Sequence, residues 1–269
     1  MTRYGRAFEA ILVRDARRLL RQRERLAAIF LRPLVWLVFF AAGFRGALGL
    51  SITQPYETYI LYAVYIVPGL AGMMLLFNGI QSSLAMVYDR ELGSIRALLS
   101  SPVPKPLLLM FRLLSAQLLI TGPVLIFLLV ARLWDVRPPL LGYLAVVPAV
   151  LASGLMLGAL GLIVASVSRQ LENFAAAMNF VIFPLFFAST ALYPLWRLNE
   201  ANGTLALLAR LNPFSHAVEL LRFALYLKLN LPSLAVVLGI GAASFLVAVC
   251  LHEPRLLRHK LKGISLLRN

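Results

Sequence analysis

Six apolar runs follow one another along this chain, each long enough to cross a bilayer and most joined by short connections. A spanning helix needs about 20 predominantly apolar residues. The runs are roughly Ala27–Leu50, Tyr59–Val87, Leu107–Ala131, Leu140–Val167, Phe174–Trp196 and Ser233–His252. A soluble domain has no way to hide so many, and a composition of 61% hydrophobic against 14% charged residues says the same. The expected fold is therefore all-α: a polytopic membrane protein with six transmembrane helices and a few amphipathic segments outside them.

Charge gives the chain a direction. Lys and Arg number 26 against 11 Asp and Glu, a net +15. With both termini on one side, that side carries nine basic residues in 1–32, three in 88–106, Arg169 and five after His252. The other side carries two in 132–139 and four in 197–232, while Arg45 and Arg112 fall inside runs. The excess predicts cytoplasmic termini and a cytoplasmic 88–106 segment. Basic residues clustered beside apolar spans point to membrane lipids as partners, not nucleic acid. Cys250 is the one cysteine, so disulfides and thiolate metal clusters are excluded. The Arg-rich start lacks the short apolar core and cleavage site of a signal peptide.

Three polar segments punctuate the spans. Residues 1–26 read as one cytoplasmic amphipathic helix, with Phe8, Ile11, Leu12, Ala16, Leu19 and Leu26 on one face. Arg14, Arg17, Arg18, Arg21 and Arg25 take the opposite face. Residues 213–227 read as an amphipathic helix on the outer side, with Asn212 as N-cap, Pro213 at N1, and Glu219 and Arg222 paired on its polar side. The loop 88–106 is short, charged and shaped by Gly93 and three prolines. Spans and loops together occupy 27–252, and 253–269 form a basic cytoplasmic tail. Within the spans, Gly154, Gly158 and Gly161 are spaced for close helix contact in lipid.

Chemistry-bearing motifs are scarce. There is no GxxxxGK[ST] phosphate loop, no HExxH and no GxSxG, so an enzyme is not expected and no metal site is predicted. The acids sit at span ends or in loops, which weighs against a proton-coupled carrier. Path candidates are the polar residues inside spans. Asn78, Gln81 and Ser82 share a face of the second span, and Asn179 lies beside Phe183 on the fifth. The competing reading is that these residues only glue helices together. A self-sufficient secondary transporter or channel, or a non-transporting membrane assembly factor, is the alternative class.

The stretch "RELGSIRALLSSPVPK" resembles the cytoplasmic loop of the ABC type-2 permeases, the transmembrane subunits of bacterial drug and polysaccharide exporters. The matching positions are Glu91, Gly93, Ser94, Leu98, Leu99, Ser101 and Pro102. Arg96 departs from the pattern, which is often acidic there. A second resemblance lies in "ALYPLW" followed by Asn212, Pro213, Glu219 and Arg222. The drug-export-like branch fits better than the polysaccharide branch. The resemblance implies a homodimer in the bacterial cytoplasmic (inner) membrane, docked to two copies of a cytosolic ABC ATPase. ATP and Mg would then be bound by that partner, with no cofactor in this chain. Loop 88–106 would be the coupling helix, read by the ATPase through Arg90, Glu91, Gly93, Ser94, Ile95, Leu98, Leu99 and Pro102. Cargo would leave past the 213–227 helix.

Overall fold

The computed structural model describes residues 3–43, 54–58, 60–91, 103–168 and 171–252. Among them the chain forms ten α-helices: α1 (Arg3–Arg21), α2 (Arg23–Gly43), α3 (Tyr62–Glu91), α4 (Lys105–Val130), α5 (Gly142–Val167), α6 (Leu171–Phe187), α7 (Leu195–Ala201), α8 (Gly203–Leu211), α9 (Pro213–Leu225) and α10 (Leu231–His252). A 3-10 turn, Ala131–Trp134, extends α4.

Four helices are long and apolar enough to cross a membrane among the described residues: Tyr62–Leu84 within α3, Lys105–Trp134, Gly142–Val167 and Leu231–Leu251. The first and fifth expected runs, Ala27–Leu50 and Phe174–Trp196, are described only in part: the first as far as Gly43, the fifth without some of its early side chains. α2 opens on Arg23, Glu24 and Arg25 and is then apolar to Gly43 apart from Arg32 and Pro33. α6 runs from Leu171 to Phe187, with Met178–Phe187 an apolar stretch among the described residues. The expected fifth run to Trp196 is cut at Phe187 for a local reason. Ser189 Oγ donates to the Phe186 carbonyl at 2.6 Å, a turn follows, and Pro194 N-caps α7.

At the centre stands α3, with 89% of its most apolar stretch buried. It crosses α5 in backbone contact. A Cβ on Gly79 would sit 2.9 Å from the Gly158 nitrogen, and one on Gly161 would sit 2.8 Å from the Gly79 carbonyl oxygen. The glycines thus let two spans approach as they cannot with side chains between them. Gly79→Val should push the crossing apart and lose stability at the upper end of the roughly 1–3 kcal/mol typical of overpacking. Gel filtration and a thermal scan in detergent check this; an unchanged melting temperature would mean the crossing tolerates bulk.

Around α3 pack α2, α4, α6 and α9, while α10 lies against α5 and α9 with only 17% of its apolar stretch buried. The apolar side of α9 is buried in the bundle: Phe214, Ala217, Val218, Leu221 and Leu225 are all core residues.

The amphipathic start is two helices, not one through residue 26. The chain breaks at Gln22, where the apolar period lapses between Leu20 and Leu26. The less polar face of α1 rests on α4, with the Phe8 and Phe111 rings 5.3 Å apart. Arg25 therefore falls in the first turn of α2 and is half-buried, instead of sharing the exposed face with Arg17 and Arg21.

Candidate functional site

Two polar places lie on α3, separated by the 13 residues from Tyr65 to Asn78, about 20 Å of helix. The loop expected to meet an ATPase lies largely outside the described residues. Arg90 and Glu91 end α3, and their side chains, like all of Gly93, Ser94, Ile95, Leu98, Leu99 and Pro102, lie outside the described residues.

The first place is a cavity between α1, α2, α3 and α4. Asn78 is 7% exposed, and its Nδ2 donates to the Ala116 carbonyl of α4 at 3.3 Å. Ser82 Oγ donates back to the Gly79 carbonyl at 2.8 Å. Both line a cavity of about 90 Å³ together with Arg14, Arg18, Arg25 and Arg112. The one acid in its wall, Asp15, is already engaged: Arg14 meets Oδ1 at 3.0 Å, and Ser115 Oγ donates to Oδ2 at 3.0 Å. Gln81, the third residue of the expected face, is half-buried and does not line the cavity. Asn179 and Phe183 are not brought to it either. Both are exposed on α6, where Phe183 stacks on Phe187 with ring centres 6.0 Å apart.

The second place is built by α9. Asn212 works in both directions. Its Oδ1 accepts from the Phe214 amide at 2.9 Å, capping α9, and its Nδ2 donates to the Leu185 and Ala188 carbonyls at the end of α6. Pro213 is the first helical residue, as its fixed φ suits. Glu219 and Arg222 do pair, but Arg222 is 1% exposed and points inward. Its guanidinium donates to the Thr190 carbonyl at 3.0 Å and the Tyr65 carbonyl at 3.4 Å, and lies 3.9 Å over the Tyr65 ring. Tyr65 Oη donates to the same Thr190 oxygen at 2.9 Å. A buried arginine thus ties α9 to α3 and to the turn after α6.

Beside this tie is an open pocket bounded by Glu219, His216, Thr190, Trp196 and Ser233. His216 Nε2 lies 3.0 Å from the Arg210 carbonyl, to which it can only donate, so in the neutral ring Nδ1 accepts from Ser233 Oγ at 3.4 Å. Among the described residues no three His, Cys, Asp or Glu side chains gather as metal ligands would.

Residues 6–226 match the family model described as ABC-2 type transporter. The chain belongs to that family. Relatives named "Putative transport permease ycf38" align over most of this ABC-2 type chain. The one from Porphyra purpurea is 27% identical over 220 residues, covering 80% of this chain and 72% of the relative. The one from Pyropia yezoensis is 26% identical over 227 residues, covering 82% and 74%. Membership makes the protein a multi-pass membrane component of a transporter, in the permease class and distinct from an ATP-binding subunit.

Sequence reasoning about this ABC-2 type chain missed the arginine cavity and Tyr65–Thr190. Arg112 was the available signal, since an arginine inside an apolar run needs a partner or a polar cavity. Gln117 is a further case. It is fully buried on α4, its side chain lies against Gly154 and Gly158, and its amide has no hydrogen-bond partner among the described residues.

Proposed function

We propose that this chain is the permease half of an ATP-driven exporter, moving a small molecule, lipid-like compound or glycan out across the membrane. Support for the reading comes from the family match over residues 6–226 together with the Glu91–Gly93–Ser94 and Ser101–Pro102 pattern inside it. Six spans place both termini and the 88–106 loop in the cytoplasm of a bacterial inner membrane, on the positive-inside count. Two copies pair, and each docks its loop into one of two cytosolic ATPase subunits that bind ATP and Mg. Asn78 and Ser82 begin the path at the cavity, Gln81 on α3 and Asn179 and Phe183 on the exposed side of α6 are path residues apart from it, and cargo leaves past α9.

Co-expression with the cognate ATPase tests the reading. The expected result is a stoichiometric complex whose ATP turnover in lipid rises with cargo, and no turnover by the isolated chain. Cargo movement by the chain alone, driven by an ion gradient, would make it a secondary transporter.

A further inference from the structure

We propose that the cavity between α1, α2, α3 and α4 seats the phosphate headgroup of an amphiphile, which fixes the cargo class of the path that Asn78 and Ser82 begin. The cargo half of this statement rests on the permease reading; the binding half does not.

Charge is the first argument. Arg14, Arg18 and Arg25 share one carboxylate in the cavity wall, Asp15, which Arg14 and Ser115 already engage, and Arg112 adds a further guanidinium to the lining. Arg25 shows the imbalance. It is half-buried, and among the described residues no carboxylate stands within ion-pair distance of it. Burial, with Arg18 adding repulsion, pulls its pKa below the usual arginine value, and Asp15 only partly opposes this. Arg14 and Arg18 are exposed while Arg25 and Arg112 are half-buried, and like charges clustered at such a site favour a bound anion. A guanidinium's planar fork suits phosphate oxygens two at a time.

Shape is the second argument. A cavity holds a water for each roughly 10–15 Å³ of such volume, so about 90 Å³ is room for a group of several heavy atoms. The rest of the wall is apolar: Leu19, Ile29, Leu119 and Ile120. A lining that combines cations with aliphatic side chains matches a charged head carrying a hydrocarbon tail. The cavity also sits where α1, with exposed arginines along one flank, meets helices of the bundle, and basic amphipathic helices bind at lipid surfaces.

The test uses the full chain without any ATPase, in nanodiscs of phosphatidylcholine doped with phosphatidate, with lipid retained on the released protein counted by native mass spectrometry. Phosphatidate should be retained in preference to phosphatidylcholine. Arg25→Gln should weaken that retention roughly tenfold or more, the scale of a lost charge-assisted hydrogen bond. Arg17→Gln, exposed on α1 and outside the cavity wall, should change it less than about twofold. Gel filtration confirms that both variants fold, and Arg25→Lys, which keeps the charge, should retain more phosphatidate than Arg25→Gln. Equal losses at Arg17 and Arg25, or no headgroup preference, would overturn the seat in favour of diffuse surface attraction. Displacement by millimolar inorganic phosphate alone would overturn the amphiphile. Retained binding with no ATP-driven movement of phosphatidate in the assembled transporter would overturn the cargo half and leave the seat.

Discussion

Arg222→Met should be among the most damaging single substitutions in this protein. The guanidinium holds Glu219, the Thr190 and Tyr65 carbonyls and the Tyr65 ring at once, from a position that is almost wholly buried. Methionine fills similar volume but leaves the Glu219 carboxylate, about a quarter exposed, without its partner. Breaking a buried pair by removing one member typically costs about 3–5 kcal/mol. At about 1.4 kcal/mol per tenfold, that is roughly a hundredfold or more in the folded population. The double variant Glu219→Gln with Arg222→Met should recover part of the loss, because no carboxylate is then left unpaired. A thermal scan of detergent-purified protein gives the answer. An Arg222→Met variant as stable as the parent would mean that hydrophobic packing alone holds α9 in place.

Glu91→Arg and Gly93→Val should uncouple the protein while leaving it folded. An exposed charge on a solvated loop usually changes stability by no more than about ±0.5 kcal/mol. A charge seated against another protein is different. Losing a desolvated, paired charge costs about 2–5 kcal/mol of binding, a loss of roughly 30-fold or more in affinity. Gly93→Val acts through shape, since a branched side chain blocks close backbone approach. Both variants should reach the membrane, recover little ATPase on co-purification and transport nothing. Normal ATPase recovery with normal transport in both would return 88–106 to an ordinary solvated loop.

What could be read from the amino acids followed the range of the interactions. Four spans were legible because each is a continuous apolar run that needs no partner to announce it. The cap at Asn212 and Pro213 was legible because N-capping is a rule about neighbouring residues. Its other hand was not, since Leu185 and Ala188 lie 27 and 24 positions away. The Glu219–Arg222 pair followed from helical spacing, but its burial depended on Tyr65, 157 positions distant, and on Thr190. The fifth run looked continuous because hydropathy does not register a hydroxyl turning back on a carbonyl, as Ser189 does on Phe186. Of the expected face, Asn78 and Ser82 line the cavity and Gln81 does not, and the rest of the wall comes from α1, α2 and α4. The break at Gln22 that carries Arg25 inward left only a short gap in the apolar period.

The amide of Asn212 has a mechanical meaning. With its nitrogen fastened to the last carbonyls of α6 and its oxygen to the first turn of α9, one small side chain serves as the rivet of a crank. Rivets permit rotation but not slack. A tilt of α6 is therefore delivered to α9 as a swing about this residue, and the gearing between the two helices rests on a group only a few ångströms across.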